Sequence, residues 1–259
     1  MATALITGAS SGLGEEFARQ LARERYDLVL AARREDRLQS VAGEARSLGA
    51  ANVLVVATDL GKPGSAEILI RKIEADGIQL SYLVNNAGFG TRGKFEQMPL
   101  EREIEEIDLN VSSLVALTRL ALPAMVARRQ GTIINVASTA AFQPLPWMAT
   151  YGATKAFVLS FSEALAYELK KSGVTVLALC PGPTHTGFQA VASTTEANFP
   201  AFSYMDAQTV VAQAIAAAKR GKAIHINGIM NQLMAQTTRF TPRALVTRIS
   251  GRLIGNPAT

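Results

Sequence analysis

The sequence predicts an α/β fold in which a doubly wound parallel sheet of seven strands is covered by helices on both faces. Short apolar runs rich in Val, Ile and Leu recur along the chain, as expected of strands buried on both sides. Helical patterns separate these runs, and such alternation requires parallel strands joined by right-handed crossovers. The 259 residues, 48% of them hydrophobic, are enough for one domain with a substantial core.

The elements can be assigned in chain order. The predicted strands are ATALIT (2–7), DLVLAA (27–32), NVLVVA (52–57), SYLVNN (81–86), TIINVA (132–137), TVLALC (175–180) and AIHIN (223–227). The clearest helical patterns between them cover residues 13–24, 100–128, 151–171 and 207–219. No linker-like stretch divides the chain, so we predict a single domain over 1–259, with a core at 1–228 and a basic helical tail at 229–259.

The charge and composition exclude several function classes. Residues 219–259 hold seven Lys or Arg and no Asp or Glu, so the net charge of +5 leaves −2 on the first 218 residues. That main body lacks the basic, aromatic-rich stripe of a nucleic-acid binder. No apolar run reaches the ~18–20 residues of a membrane helix. The single cysteine, and a strand from residue 2 that leaves no room for a signal peptide, lead us to expect a cytoplasmic protein.

A glycine-rich turn follows the first predicted strand and leads straight into the first helix. In TGASSGLG (7–14), Gly8 permits a sharp turn, Gly12 lets the backbone approach a pyrophosphate, and Gly14 allows close packing of the helix. Free N–H groups at the start of the helix attract an anion. We therefore predict a dinucleotide site here, the alternative being an ordinary tight turn.

A second stretch, GFGTRG (88–93), matches the same fingerprint letter for letter. It is followed by KFEQMP, whose proline does not open a helix that faces a phosphate. Asp108, about where a ribose ligand is expected, lies inside a helical pattern and not at the end of a second strand. We do not predict a nucleotide site at this stretch.

The end of the second strand bears on the choice of dinucleotide. Arg33 and Arg34 follow it, and no carboxylate is present to bind both ribose hydroxyls of NAD(H). A guanidinium can bind the 2′-phosphate of NADP(H) through paired hydrogen bonds. We favour NADP(H) over NAD(H); the alternative is a solvated basic turn.

Candidate catalytic residues come later in the chain. Tyr151 and Lys155 are four residues apart and share one helix face. We expect the ammonium group to lower the pKa of the tyrosine from its ordinary ~10, so that Tyr151 can act as general acid to a carbonyl oxygen or as base to an alcohol. Ser138, just after a strand, could hydrogen-bond the same oxygen. Alone, the Tyr–Lys spacing is a weak signal.

Taken together, these motifs resemble the short-chain dehydrogenase/reductase family over residues 2 to about 228, which implies a Rossmann-type fold. The NNAG motif of the family resembles residues 85–88, and Arg33 matches its NADP-preferring subgroup. The resemblance implies a catalytic tetrad of Asn110, Ser138, Tyr151 and Lys155. It implies cofactor contacts at Gly8, Ser10, Ser11, Gly12, Leu13, Gly14, Arg33, Arg34, Asp59, Leu60, Asn86, Ala87, Gly88, Tyr151, Lys155, Pro181, Gly182, Thr184 and Thr186.

The resemblance also implies roles. Tyr151 exchanges the proton, Ser138 polarises the substrate oxygen, Lys155 holds the ribose hydroxyls and lowers the tyrosine pKa, and Asn110 positions a water that links Lys155 to solvent. The cofactor supplies the hydride. Other polar groups receive structural interpretations: Cys180 as a core residue, EREIEE (101–106) as a solvated helix face, and the two histidines, His185 and His225, as structural side chains.

The substrate is a small-molecule carbonyl or alcohol by the same resemblance. Apolar residues in the order of family pockets suggest an apolar ketone or aldehyde; they are Phe89, Phe142, Leu145, Trp147 and Phe188. Two alternatives remain open. One is a reductase of 3-oxoacyl thioesters on a carrier protein, whose acidic partner would suit the basic tail. The other is a non-catalytic NADP(H)-sensing regulator, although a sensor needs no proton relay.

The tail departs from the commonest family pattern. Many relatives end soon after a Gly-Gly strand that joins a tetramer, so a homodimer is open beside the usual homotetramer. Thr241 and Pro242 predict a helix start, and Leu245, Val246, Ile249 and Leu253 then form one apolar stripe. We expect this helix to dock on its own domain, where it could cap the substrate pocket, or on a second copy. A membrane-surface contact is less favoured, since the stripe is short and poor in aromatic residues.

Overall fold

The computed structural model describes residues 2–184 and 203–255, and in these ranges seven strands form one parallel sheet. The strands are β1 (Thr3–Thr7), β2 (Asp27–Ala32), β3 (Val53–Ala57), β4 (Leu80–Asn85), β5 (Gly131–Val136), β6 (Val174–Cys180) and β7 (Ile224–Ile226). Their order across the sheet is β3-β2-β1-β4-β5-β6-β7. The predicted fold class is confirmed, and every strand boundary agrees with the prediction to within one residue.

Helices cover both faces of the sheet. They are α1 (Gly12–Arg23), α2 (Glu35–Leu48), α3 (Ser65–Ala75), α4 (Leu100–Ile107), α5 (Ser113–Ala127), α6 (Ala149–Glu168), α7 (Ala207–Lys219), α8 (Ile229–Thr237) and α9 (Arg243–Ile254). Because side chains alternate along a strand, Ile6 packs with Phe17 of α1 and Val210 of α7 on one face. Its neighbour Leu5 packs with Leu117 of α5 on the other.

The helix predicted over 100–128 is divided into α4 and α5 by a π-helical turn, Asp108–Ser112. Within the continuous stretch Leu100–Ala127, an 18-residue window has a mean hydropathy of 1.5, so the stretch is long and apolar enough to cross a membrane by length and composition. Here Leu117 and Met125 are 1% and 0% exposed and belong to the core beside the sheet. We therefore assign this stretch to the core of an α/β domain.

The strand order reverses between β1 and β4, and a crevice opens where their carboxyl ends diverge. Two side chains hold these ends together. Thr7 Oγ1 accepts the N–H groups of Asn86 and Ala87, both at 3.0 Å, and donates to Val84 O at 3.2 Å. Asn86 Nδ2 donates to Thr7 O at 2.9 Å and Gly8 O at 3.3 Å. The turn after β1 is thereby fixed to the turn after β4.

Two glycines make this close approach possible. Gly8 has φ +65°, a left-handed conformation that favours glycine. A Cβ on Gly14 would lie 2.6 Å from Asn86 Nδ2 and would overlap the carbonyl oxygen of Gly8. Only a residue without a side chain lets the first turn of α1 sit against this turn.

A row of buried amides fixes the helix that carries the predicted catalytic residues. Asn85 Nδ2 donates to Asn135 Oδ1 at 2.9 Å and to Thr118 Oγ1 at 3.0 Å. Asn135 Nδ2 donates to Ser162 Oγ on α6 at 2.9 Å. Both asparagines are buried, so these hydrogen bonds replace contacts that water would otherwise provide. The row joins β4, β5, α5 and α6 in one network.

The tail packs on the core through one face of each of its helices. On α8, Asn231 is 2% exposed and donates through Nδ2 to Asn227 O at 3.0 Å. On α9, Ser250 Oγ donates to Pro144 O at 2.7 Å, and Ile254 is 1% exposed. The tail is therefore docked, as the sequence predicts, but α8 itself was not foreseen.

The docked face of α9 differs from the prediction. The helix begins at Arg243, and Pro242, not Thr241, occupies the cap position. Leu245 and Ile249 of the predicted stripe are 46% and 47% exposed, because the side of the helix that carries Ser250 faces the domain. The amphipathic pattern located a helix but assigned the wrong side to the core.

We predict opposite effects for two glycine-to-alanine substitutions. Gly14→Ala should lower the free energy of unfolding by about 1–3 kcal/mol, the range for overpacking. Gly43→Ala is the matched control, because Gly43 is exposed on α2 and no atom lies within 4 Å of the position that a Cβ would take. It should raise stability by about 0.5–1 kcal/mol, since alanine is the better helix former. Urea unfolding measures both; equal effects would contradict the packing described at Gly14.

Candidate active site

The predicted cofactor residues in the described part of the chain gather at the carboxyl edge of the sheet. They lie on the loops after β1, β2, β3, β4 and β6 and at the starts of α1 and α6: Gly8, Ser10, Ser11, Gly12, Leu13, Gly14, Arg33, Arg34, Asp59, Leu60, Asn86, Ala87, Gly88, Tyr151, Lys155, Pro181, Gly182 and Thr184. Thr186, and Phe188 of the predicted pocket, lie outside the described residues, as does His185.

The start of α1 suits an anionic group. Ser11 occupies the cap position in an extended conformation, and its side chain makes no capping hydrogen bond. The first N–H groups of the helix are therefore available to a ligand, and the helix dipole favours negative charge there. Gly8 and Gly14 let this turn and the start of α1 pack closely against Asn86. Together these features fit the pyrophosphate of a nicotinamide dinucleotide.

Two arginines border the same turn. Arg34 donates through a terminal guanidinium nitrogen (Nη2) to Ser10 O at 3.3 Å and to Ser10 Oγ at 3.2 Å, which holds it over the glycine turn. Arg33 is exposed at the end of β2. No carboxylate stands beside them in the residues that directly follow β2 until Glu35 opens α2. This end of the site is cationic, as a 2′-phosphate would require.

Tyr151 and Lys155 lie on one face of α6, both buried, at 8% and 5% exposure. Lys155 Nζ donates to Val136 O at 2.8 Å and lies 5.7 Å from the centroid of the Tyr151 ring. Ser138 caps a short helical turn, where its Oγ accepts the N–H of Ala140 at 3.1 Å. Its hydroxyl also hydrogen-bonds the side chain of Tyr151. The structure therefore brings together the three residues predicted for proton transfer.

Asn110, the fourth predicted member, lies in the π-helical turn, a feature often found at functional sites. Its Oδ1 accepts Phe89 N at 3.1 Å, while its Nδ2 donates to Phe89 O at 2.8 Å and Thr154 Oγ1 at 3.1 Å. A Cβ on Gly88 would lie 2.8 Å from Asn110 Oδ1 and 3.6 Å from Lys155 Nζ. Asn110 thus ties the loop after β4 to α6; the predicted water bridge to Lys155 stays a prediction.

The expected lowering of the tyrosine pKa is wrong for the protein without cofactor. Burial raises the pKa of Tyr151 above its ordinary value, the hydrogen bond with Ser138 opposes this, and the charge of Glu106 adds to it. Burial also lowers the pKa of Lys155 to about 8, partly offset by Glu106. Desolvation of the phenolate outweighs the hydrogen bond with Ser138. Tyr151 therefore carries its proton at neutral pH, which suits a proton donor.

A carboxyl pair beside the catalytic helix was missed. Glu103 and Glu106 are 6% and 0% exposed. The prediction that EREIEE (101–106) is a solvated helix face is therefore wrong for these two residues. Thr91 Oγ1 lies 2.8 Å from Glu103 Oε1 and 2.6 Å from Glu106 Oε2, and Thr91 N donates to the latter oxygen at 3.0 Å. Thr150, next to Tyr151, hydrogen-bonds Glu103 Oε2 through its hydroxyl. A usable signal was present: both acids share a helix face with Asn110, at spacings of three and four residues.

Hydrogen-bond counting places one proton on this pair. Three short oxygen–oxygen contacts join the two threonine hydroxyls to the two carboxyl groups, yet the hydroxyls supply only two protons. An ionised carboxylate cannot donate, so two full hydrogen bonds at Thr91 Oγ1 require a proton on one of the two acids. Burial and the neighbouring charge of Glu103 raise the pKa of Glu106 to about 7, against hydrogen bonds from Thr91 that lower it. Glu106 is the group most suited to hold that proton.

Apolar residues surround the mouth of the site. Leu145, Met148, Tyr151 and Ile254 form one buried cluster, so α9 covers the catalytic helix. One cavity of about 260 Å³ is lined by Trp147, and another of about 500 Å³ by Phe142 and Leu145, among others.

Phe89 of the predicted pocket has another neighbour. Its ring lies under the guanidinium group of Arg102, with the carbon of that group 4.3 Å from the ring centroid. Three of the predicted pocket residues in the described part of the chain therefore line cavities beside α6, whereas Phe89 packs against α4.

The remaining polar candidates are structural. Cys180 is 0% exposed at the end of β6, in agreement with its prediction as a core residue. His225 Nε2 lies 3.3 Å from Gln213 Oε1. Within residues 2–184 and 203–255, no group of three or more His, Cys, Asp or Glu side chains is placed to hold a metal ion.

Comparisons with known proteins agree with this geometry. A family model described as short chain dehydrogenase matches residues 2–197. An 11-beta-hydroxysteroid dehydrogenase of Pinus massoniana is 44% identical over 166 residues, covering 64% of this chain and 46% of the relative. A very-long-chain 3-oxoacyl-CoA reductase of Anas platyrhynchos is 34% identical over 186 residues, 70% of this chain and 59% of the relative. The chain thus spans about half the length of these relatives.

The likeness extends to solved structures. A short-chain dehydrogenase from Sphingobium yanoikuyae, in complex with NADPH, matches with a TM-score of 0.83 and 33% identity, covering 93% of this chain and 94% of that one. The glycine turn at the switch point, the buried Ser–Tyr–Lys arrangement and these matches lead to the same assignment. The chain belongs to the short-chain dehydrogenase family.

Proposed function

We propose that this chain is an oxidoreductase that uses NADP(H) to reduce apolar ketones or aldehydes, or to oxidise the matching secondary alcohols, with Tyr151 as general acid or base. One observation carries the proposal. The Tyr151 hydroxyl, paired with Ser138, is buried beside the crevice where a dinucleotide fits, on a helix that also presents Lys155. A tyrosine in this position can exchange a proton with the oxygen of a substrate.

NADP(H) is the proposed cofactor because the ribose end of the site is cationic. Arg34 is held over the glycine turn through Ser10, and Arg33 is free to reach a 2′-phosphate from the end of β2. The related Sphingobium enzyme is described in complex with NADPH. When bound, the nicotinamide supplies or accepts the hydride.

The chain's own residues handle the proton and the substrate oxygen. Ser138 donates a hydrogen bond to that oxygen, while Tyr151 transfers its proton from Oη to it. Lys155 keeps its ammonium group near the tyrosine through its bond to Val136 O, and it would hold the ribose hydroxyls of the cofactor. Because burial raises the pKa of Tyr151, its hydroxyl group is protonated at neutral pH and can act as the general acid in the reduction of a carbonyl.

The proposed substrate is an apolar aldehyde, or an apolar ketone with ring or chain carbons on both sides of the carbonyl group. Support comes from the buried cluster of Leu145, Met148 and Ile254 around Tyr151, and from Trp147 and Phe142 at the adjacent cavities. The pine relative's name, a hydroxysteroid dehydrogenase, is consistent with an alicyclic substrate of this kind. Apolar walls fix such a ligand mainly by excluding water.

A second candidate is a 3-oxoacyl thioester. The duck relative's name, a very-long-chain 3-oxoacyl-CoA reductase, favours it, and the cationic tail would suit the acidic carrier of such a substrate. A non-catalytic sensor is less supported, because it has no use for Tyr151 and Lys155.

The candidates are separated by following the oxidation of NADPH with a panel of steroids, diketones, aldehydes and acyl thioesters. We expect turnover with apolar ketones and a preference for NADPH over NADH. Turnover restricted to thioesters would select the second candidate. NADPH binding without turnover of any member would reject both enzymes and favour a sensor.

Tyr151→Phe should lower reductase activity by about 10²-fold or more, because it removes the transferable proton and keeps the ring. Tyr167→Phe is the control on the same helix, since Tyr167 is 82% exposed. Thermal unfolding and NADPH binding should be similar for both variants. Near-normal turnover by Tyr151→Phe would remove Tyr151 from the mechanism.

Arg33→Ala should weaken NADPH binding by about 1.5–3 kcal/mol, the range for hydrogen bonds to a charged group, and leave NADH binding nearly unchanged. Since Arg34 can share the phosphate, the double variant should show the larger loss. Arg71→Ala, an exposed arginine on α3, serves as control. Isothermal titration gives both affinities. An equal loss of affinity for NADPH and NADH would show that Arg33 does not bind the 2′-phosphate.

Glu106 should make stability depend on pH. Its pKa rises from 4.5 to about 7 on folding, so its stabilising contribution is present below pH 4.5 and is lost as the pH rises to about 7. Glutamine cannot ionise, so Glu106→Gln does not lose this contribution. Between pH 4.5 and about 7, the free energy of unfolding of the variant should therefore rise relative to that of the wild type. We expect a gain of about 1 kcal/mol or more, since a tenfold change in an acid constant corresponds to about 1.4 kcal/mol.

The exposed neighbour Glu105 provides the control for this comparison. Urea unfolding at a series of pH values should give Glu105→Gln and wild-type curves that run parallel, while Glu106→Gln diverges from both. A Glu106→Gln curve parallel to the wild type would mean that Glu106 is ionised throughout and that the shared proton lies elsewhere.

A further inference from the structure

The outward side of the tail is unusually apolar for a protein surface. On α8, Ile229 and Leu233 are 78% and 54% exposed, and Met230 and Met234 are 46% and 38% exposed. The polar Asn231 faces the core instead. The helix therefore presents its hydrophobic side to the solvent, the reverse of the usual arrangement.

Further apolar side chains are exposed after α8. Phe240, between the two tail helices, is 89% exposed, and Leu245 and Ile249 on α9 are exposed as well. Of the fifteen exposed large hydrophobic side chains in the described part of the chain, seven lie within residues 229–249. Such a concentration on one short segment indicates an interaction site more than chance exposure.

The same segment is purely cationic. Arg239, Arg243, Arg248 and Arg252 are exposed, and residues 219–259 contain no Asp or Glu. None of these four arginines enters a salt bridge within the ranges that the structure describes. We define the tail surface as these arginines together with the exposed apolar side chains of residues 229–249.

We propose that the tail surface binds an anionic lipid bilayer. Its aliphatic, methionine and phenylalanine side chains can enter the boundary of the acyl chains, while the arginines pair with lipid phosphates. The sequence alone favoured docking over membranes because it showed only one short stripe on α9. The structure adds α8 and Phe240 to the exposed patch and assigns the docking contacts to the other side of each helix.

A second copy of the chain fits this surface less well. A two-fold interface would bring two identical faces together, each with four arginines on a segment, residues 219–259, that contains no Asp or Glu. The like charges would repel each other, whereas anionic headgroups would neutralise them. Arg243 also lines the larger cavity beside α6, so a bilayer bound here would lie near an opening toward the catalytic helix.

Cosedimentation with vesicles tests the proposal on the full chain. We expect binding to equal mixtures of phosphatidylglycerol and phosphatidylcholine, weakened by salt, and little binding to phosphatidylcholine alone. The triple variant Arg239→Gln/Arg248→Gln/Arg252→Gln should bind about 100-fold more weakly, since each cation near such a surface contributes about 1 kcal/mol. Ile229→Ser/Leu233→Ser/Phe240→Ser should lose binding as well.

The control variant is Ile68→Ser/Tyr167→Ser, which removes exposed apolar side chains far from the tail in sequence, 63% and 82% exposed. It should bind vesicles like the wild type, and all variants should keep NADPH binding and thermal stability. The proposal is overturned if the wild type ignores anionic vesicles, or if the triple variants bind as well as the control. A dimer that the triple variants dissociate, without any vesicle binding, would assign the surface to a second copy instead.

Discussion

The rest of the structure depends on the fastening of β1 to β4 by Thr7 and Asn86. These two strands mark the point where the strand order reverses, and the hydrogen bonds of these side chains join the turns that follow them. The bonds also press the glycine turn against the loop after β4, where no Cβ fits at Gly14. The dinucleotide crevice is thus a consequence of sheet topology and of one close backbone approach.

Burial determines the chemistry at this edge. Tyr151, Lys155 and Glu106 lie in one water-poor region, where each would hold a charge only at a cost. As a result, the pKa of Tyr151 and that of Glu106 are raised, which favours their protonated forms, and the pKa of Lys155 is lowered. A neutral acid beside the substrate oxygen is what carbonyl reduction requires. The position of the tail over the same cluster, through Ile254, keeps that region closed on one side.

Much of this arrangement could be predicted from the sequence, because local patterns encode it. Short apolar runs separated by helical patterns predicted the strands. The position of the glycines between a strand and a helix distinguished the turn at Gly8 from the similar stretch GFGTRG (88–93). The failures concern properties set by tertiary surroundings. The pKa of Tyr151 depends on desolvation, the burial of Glu106 on which side of α4 meets α6, and the exposure of Ile229 on which side of α8 meets the core. The buried side of α4 carries Glu103 and Glu106, and that of α8 carries Asn231 beside Ala235. A search for an apolar stripe therefore assigned the wrong environment to α4 and did not find α8.

The central claim is that this chain transfers a hydride between NADP(H) and a carbonyl carbon, with the proton coming from Tyr151. The most direct measurement uses NADPH deuterated at the reactive ring carbon, with the best ketone of the panel and in ordinary water. Mass spectrometry and NMR of the alcohol should show one deuterium on the carbinol carbon and ordinary hydrogen on its oxygen. An alcohol without label on carbon, whichever face of the ring carries the deuterium, would contradict the account.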